Sequence, residues 1–116
     1  MKSISAVVVG LALLTLTFAC HADGADQAAV RVKIKTGALV VDVRTVAEFA
    51  SGAYQGAINI PLDQVEKRLA DFGDRKRAIV VYCRTGNRSG QAKVILENNG
   101  FTNVTNGGGL KDMPPR

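Results

Sequence analysis

Short apolar runs recur along the chain after residue 37 and are separated by polar turns. The runs at 38–43, 57–60 and 78–82 are rich in Val and Ile, which is typical of strands. The run at 78–82 has apolar residues at successive positions, as strands buried on both faces of a parallel sheet do. A further short strand is predicted at 103–105, and the glycine-rich segment 106–109 after it is predicted to be a loop.

Between these runs the apolar residues return at helical spacing. The segment 62–72 has Leu62, Val65, Leu69 and Phe72 on one side and charges on the other, which predicts an amphipathic helix. A second helix is predicted at 89–99, with Gly100 as its C-cap.

Two shorter helices are predicted nearer the N-terminus. Thr45 is followed three residues later by Glu48, a capping-box pattern that predicts a short helix to residue 50. Over 25–36 the apolar residues partly alternate, so strand and helix compete; we predict a helix that Gly37 ends. Strands that alternate with helices indicate an α/β fold with a parallel sheet, whose ligands bind at the carboxyl ends of the strands.

The first 22 residues differ from the rest and are predicted to be a secretory signal peptide. Lys2 is followed by a nearly unbroken apolar run at 4–18 and then by small residues up to Ala22. As a helix this run rises only ~22 Å, too short for a membrane span. We therefore expect cleavage after Ala22, a single domain at 23–116, and a periplasmic protein with no membrane attachment. The alternative is a lipoprotein that keeps Cys20 as a lipidated first residue.

Composition excludes several classes of function. The chain has 116 residues and a formal net charge of +5, of which Lys2 of the signal peptide supplies one unit. The basic cluster 75–77 has no interleaved aromatic residues, so we expect a solvated turn and no nucleic-acid partner. Two cysteines and one histidine are too few for a cysteine-rich zinc site, and we expect no metal. The protein is expected to be a monomer.

After cleavage Cys83 is the one cysteine left, and it is the candidate nucleophile. It follows the central strand and precedes a loop in which Gly86 and Asn87 tolerate positive φ. Such a loop can point its N–H groups inward as an anion nest, and the following helix adds its own N–H groups. These groups and two arginines favour the thiolate. The candidate substrate-binding residues are Arg84, Thr85, Gly86, Asn87, Arg88 and Ser89.

Four segments in order and spacing resemble the single-domain rhodanese family, and with the signal peptide its small periplasmic members of the phage-shock-protein E type. They are Asp-Val-Arg at 42–44, Gly-Ala-Ile-Asn-Ile-Pro-Leu at 56–62, Cys-Arg-Thr-Gly-Asn-Arg-Ser at 83–89 and Gly-Gly-Leu at 108–110. The resemblance implies a three-layer fold with a mostly parallel sheet between helices. It also implies that Cys83 carries sulfur from thiosulfate to cyanide or a thiol acceptor as a persulfide, without a cofactor. Asp42 and Arg44 would support the loop structurally.

Two other functions stay open at the level of sequence. A rhodanese-like domain can instead carry sulfur for a protein partner. Cysteine phosphatases and arsenate reductases resemble the loop, but they need five residues between the cysteine and an arginine that clamps phosphate. Here Arg88 comes one position early and Ser89 occupies that place, so the shorter loop favours sulfur transfer.

Overall fold

The computed structural model describes residues 27–116, and the predicted signal peptide lies outside them. Four parallel strands form one sheet in the order β2-β1-β3-β4. In chain order the helices and strands are α1 (Gln27–Lys35), β1 (Leu39–Asp42), α2 (Val46–Ser51), β2 (Ile58–Asn59), β3 (Ile79–Cys83), α3 (Asn87–Asn98) and β4 (Val104–Gly109), with 3₁₀ segments at Leu62–Gln64, Glu66–Phe72 and Leu110–Asp112. The predicted α/β fold with a parallel sheet is confirmed.

The sheet is buried on both faces, so the structure has three layers. Side chains alternate along β3, which is buried at every position. Ile79, Val81 and Cys83 face a core shared with Ala92 and Leu96 of α3. On the opposite face Val80 and Tyr82 pack with Val30 and Ile34 of α1. The alternation therefore puts Cys83 on the face of the sheet that α3 covers.

Both predicted helices of the N-terminal half form. The segment α1 is helical, which decides the competition between strand and helix, and Gly37 follows it at φ +98°. At α2 the Thr45 hydroxyl accepts from the Glu48 N–H, and the Glu48 carboxylate accepts from the Thr45 N–H. The capping box is thereby confirmed.

The prediction of one amphipathic helix at 62–72 is wrong. The chain forms two 3₁₀ segments there, and Arg68 has the non-helical angles φ −122° and ψ 34°. The apolar residues explain this outcome, because Leu62 and Val65 are three apart and so are Leu69 and Phe72. A spacing of three places side chains on one side of a 3₁₀ helix, and the longer step between the two pairs falls at the break.

The glycine-rich segment 106–109 is part of strand β4, so the predicted loop there is also wrong. Gly109 pairs with Cys83 of β3 after an irregularity in the register. A Cβ on Gly109 would overlap the carbonyl oxygen of Arg84, so only glycine lets β4 run this close to the segment after Cys83. The helix α3 also begins at Asn87, two residues before the predicted start, because the turn at Gly86 already has φ +94°.

Within residues 27–116 no helix is long and apolar enough to cross a membrane.

At its other end α3 has Asn99 as its C-cap, and the predicted cap, Gly100, follows one residue later with φ +90°. Its N–H donates to the Glu97 carbonyl, and the next N–H, of Phe101, donates to that of Leu96. This pair of hydrogen bonds is a Schellman motif.

The close approach of β4 generates a stability prediction. Gly109→Ala should lower the free energy of unfolding by about 1–3 kcal/mol, because the new methyl group overlaps backbone that cannot move aside cheaply. The matched control is Gly90→Ala inside α3, where the nearest atom to the new Cβ is 3.5 Å away. The control should raise stability by about 0.5–1 kcal/mol through helix propensity. Urea denaturation measures both, and equal effects would contradict the steric argument.

Candidate functional site

A buried carboxylate organises the carboxyl ends of β1 and β3. Asp42 has no exposed surface, and Arg44 is 6% exposed. The Asp42 carboxylate accepts hydrogen bonds from the backbone N–H of Arg44 at 2.8 Å and from its Nη2 at 2.7 Å. It also accepts from the Tyr82 hydroxyl at 2.8 Å. The hydrogen bond to Asp42 raises the pKa of Arg44, and burial raises the pKa of Tyr82 to about 12, so Arg44 stays charged and Tyr82 stays neutral.

The same group of side chains fixes the loops around it. Nη2 of Arg44 also donates to the carbonyl oxygen of Gly52 at 2.7 Å, at the end of α2. The Tyr82 hydroxyl accepts from the N–H of Tyr54 at 2.9 Å. Nδ2 of Asn59 donates to the carbonyl oxygens of Asp42 and Arg44, both at 3.0 Å. This arrangement suits the structural support that was predicted for Asp42 and Arg44.

Cys83 ends β3 with its sulfur inside the turn that follows. Its side chain is buried. Sγ accepts a hydrogen bond from the N–H of Gly86 at 3.1 Å and from the N–H of Ser89 at 3.4 Å. Oγ of Ser89 lies 3.3 Å from Sγ. The turn that brings these groups to the sulfur depends on the positive φ of Gly86, which L side chains rarely adopt.

The surroundings of the sulfur favour the thiolate. Burial by itself raises the pKa of Cys83. Hydrogen bonds from the Ser89 hydroxyl and from the N–H groups of Ser89, Thr85 and Gly86 act in the other direction and outweigh it. The pKa of Cys83 is therefore lower than that of an ordinary cysteine, as a thiolate nucleophile requires.

Arg88 makes an ion pair that the sequence analysis did not foresee. Its Nη1 and Nη2 donate to the two carboxylate oxygens of Glu48, at 2.7 and 3.0 Å. About a third of each side chain is exposed. The hydrogen bond from Arg88 lowers the pKa of Glu48 to about 2, so the pair stays charged at neutral pH. Glu48 was predicted only as a capping residue, and its second partner comes from a segment 40 residues away.

The predicted binding residues divide into two groups. Gly86 and Ser89 are buried at the sulfur, whereas Arg84, Thr85 and Asn87 have exposed side chains on the outside of the turn. A cavity of about 350 Å³ opens beside Arg88. It is lined by Val43, Thr45, Pro61, Leu62, Asp63 and Arg88. Its volume lies at the lower end of the range of small-molecule pockets.

Asn106 belongs to the site and was missed. Its Oδ1 accepts from the Ser89 hydroxyl at 2.7 Å and from the N–H of Gly108 at 2.9 Å. Its Nδ2 donates to the carbonyl oxygen of Gly86 at 3.0 Å. Asn106 thereby joins β4 to the turn around Cys83. The only sequence signal was an amide residue directly before the glycine run.

Comparison with known proteins identifies the family of this chain. The family model described as rhodanese-like domain matches residues 25–112. The chain belongs to the rhodanese family. The match spans the whole sheet and the Cys83 turn, and it confirms the family that the four sequence segments indicated.

Individual relatives agree with that assignment. This rhodanese is 47% identical over 74 residues to the thiosulfate sulfurtransferase PspE of Escherichia coli, over 63% of this chain and 71% of the relative. A solved structure titled rhodanese with anions from E. coli is 49% identical with a TM-score of 0.59, over 66% of this chain and 93% of that one. A human single-domain sulfurtransferase has a TM-score of 0.63 at 29% identity, over 68% and 82%.

The donors around Sγ generate a prediction about acidity. In the folded rhodanese the rate of alkylation of Cys83 by iodoacetamide should rise with pH through a midpoint below that of a free thiol, because the donors lower the pKa of Cys83. The same peptide in denaturant is the matched control and should show the ordinary midpoint, because unfolding removes the donors. By linkage, the folded protein gains stability as the pH rises from the folded pKa to the unfolded pKa. A folded midpoint equal to or above the unfolded one would contradict the assignment.

Proposed function

We propose that this rhodanese is a thiosulfate sulfurtransferase and that Cys83 carries the transferred sulfur. The observation that carries the proposal is the position of Sγ: at the carboxyl end of β3, where two N–H groups donate to it and Oγ of Ser89 lies 3.3 Å away. A thiolate held in this way is a sulfur nucleophile, and thiolates attack sulfur–sulfur bonds. The name of the E. coli relative supports thiosulfate as the donor.

The reaction has two half-reactions. In the first, the Cys83 thiolate attacks the outer sulfur of thiosulfate and forms a new S–S bond. The S–S bond of thiosulfate breaks, and sulfite leaves with the electron pair. In the second, cyanide or a thiolate acceptor attacks the terminal sulfur of the persulfide. Thiocyanate or an acceptor persulfide is released, and Cys83 returns as a thiolate; no cofactor takes part.

The turn supplies the groups that a dianionic donor needs. The N–H groups of Gly86 and Ser89 donate to Sγ, where the thiolate charge lies before it attacks the donor. Arg84 and Arg88 would add positive charge at its rim. Because Glu48 binds two nitrogens of Arg88, the donor has to share Arg88 with Glu48 or displace that carboxylate.

The same features weigh against phosphatase chemistry. A phosphate clamp needs an arginine that is free to bind two oxygens from inside the turn. Here the arginine comes one residue early, and its guanidinium already binds the carboxylate of Glu48. The sulfur-carrier alternative uses the same Cys83 persulfide but needs a protein acceptor.

We also propose that the protein is exported to the periplasm and that the mature chain begins near Asp23. The support is the sequence of the first 22 residues. In a Gram-negative host the protein should be recovered in the periplasmic fraction, and its intact mass should match cleavage after Ala22. A chain that starts at Met1 in the cytoplasm would refute export, and a diacylated Cys20 would indicate a lipoprotein.

The first prediction of this proposal concerns the nucleophile. Thiosulfate should add one sulfur atom to the mass of the wild-type protein, and cyanide should remove it. Cys83→Ser should lose both the added sulfur and turnover while it keeps the wild-type circular dichroism spectrum, since the change is nearly isosteric.

Turnover by Cys83→Ser would refute the nucleophile assignment. A wild-type persulfide that neither cyanide nor small thiols can discharge would favour the sulfur carrier. Hydrolysis of an aryl phosphate without sulfur transfer would favour the phosphatase.

The second prediction concerns the arginines. Arg88→Ala should lower kcat/KM for thiosulfate by about 10–150-fold, mainly through KM, because a charge-assisted hydrogen bond is worth about 1.5–3 kcal/mol. The matched control is Arg84→Ala, whose exposed side chain should matter less. Steady-state kinetics with thiosulfate and cyanide measures both. Near-wild-type values in both variants would mean that the backbone donors bind the anion by themselves.

A further inference from the structure

The orientation of the Asn106 amide is fixed by two backbone partners. Its Nδ2 faces the carbonyl oxygen of Gly86, which can only accept, and its Oδ1 faces the N–H of Gly108, which can only donate. A flipped amide would place two donors together at one end and two acceptors together at the other. Oδ1 is therefore the atom that lies 2.7 Å from Oγ of Ser89.

This orientation determines where the proton of the Ser89 hydroxyl lies when Cys83 is a neutral thiol. An amide oxygen has no proton to give, so the Ser89 hydroxyl must donate to Asn106. A hydroxyl has one proton, and none is then left for Sγ of Cys83. The contact of 3.3 Å between Sγ and Oγ is accordingly a hydrogen bond that the thiol donates to Ser89.

When the thiol loses its proton, Sγ needs a hydrogen-bond donor from Ser89 instead of an acceptor. The thiolate can only accept, and the two N–H groups of the turn already donate to it. With the Ser89 hydroxyl still directed at Asn106, two sets of lone pairs would face each other across 3.3 Å. When the hydroxyl rotates toward Sγ, this contact becomes a hydrogen bond to the thiolate, but the hydrogen bond to Asn106 is given up.

We propose that the Ser89 hydroxyl donates to one of two acceptors, Sγ of Cys83 or Oδ1 of Asn106. Asn106 accepts this hydrogen bond whenever Sγ does not, which makes Asn106 a positioning residue for Cys83. The hydroxyl donates to Asn106 beside a thiol and to Sγ beside a thiolate, and the thiol proton passes to the solvent. This inference rests on the proposed function only in so far as the thiolate is the reacting form. In the persulfide the negative charge lies on the outer sulfur, so the hydroxyl returns to Asn106.

The proposal predicts the direction in which two substitutions of Asn106 change the pKa of Cys83. Asn106→Ala removes the competing acceptor, so the pKa of Cys83 should fall by about half a unit to one unit. Asn106→Asp loses the same Nδ2 donor to Gly86 but keeps an acceptor, with added negative charge, so the pKa should rise. If Asn106 only braced the turn, both substitutions would loosen it, and both would raise the pKa.

The measurement is the pH dependence of iodoacetamide alkylation of the Cys83 peptide, followed by mass spectrometry in the full-length protein. Thermal unfolding of each variant checks that it is folded. Should Asn106→Ala not fold, Asn106→Leu removes the acceptor with little change in volume and has the same expected sign. A pKa that is unchanged or raised in the folded acceptor-free variant would overturn the proposal.

A double-mutant cycle with Ser89→Ala tests the coupling directly. Ser89→Ala should raise the pKa of Cys83, and the rise should be larger with Asn106→Ala present, because the hydroxyl then donates to Sγ without giving up another bond. A smaller rise or an equal one would overturn the proposal. Thiosulfate turnover by the wild type is measured separately. An inactive wild type would contradict the proposed sulfur transfer, whereas the pKa values of the variants test the role of Ser89 and Asn106.

Discussion

The geometry of the site depends on the hydrogen bonds of the buried Asp42 carboxylate. A buried charge is tolerated only when its partners are complete, and Arg44 and Tyr82 supply them. Arg44 extends the connection to the end of α2 through Gly52. That helix carries Glu48, whose carboxylate binds the Arg88 guanidinium. Within residues 27–116 no buried side-chain nitrogen or oxygen lacks a hydrogen-bond partner, so the network is complete.

The second constraint is the close approach of β4 to the Cys83 turn. Glycines let the strand run against the carbonyl of Arg84, where a side chain would not fit. The approach brings Asn106 within hydrogen-bond distance of Gly86 and Ser89. The donors around Sγ are therefore held from two directions, by the start of α3 and by β4. The backbone N–H donors are thereby preorganised, so they can stabilise charge on the sulfur without rearranging.

Neutral donors, rather than full charges, set the state of the sulfur. The Arg88 guanidinium is paired with the Glu48 carboxylate at 2.7 Å, which offsets part of its charge. The groups that lower the pKa of Cys83 are backbone N–H groups and a hydroxyl, which act over short distances and are screened little by salt.

Local patterns were sufficient to predict the parallel sheet, the capping box at Thr45, the helix after Cys83 and the candidate nucleophile. Strand burial, helix caps and turn residues depend on neighbours close in the sequence, so the sequence by itself determined these features. Tertiary structure alone decided that Glu48 pairs with Arg88 and that Asn106 hydrogen-bonds to Ser89, because those partners are 40 and 17 residues apart in the sequence. It also decided that 106–109 pairs as a strand, because that pairing depends on the space left beside Arg84.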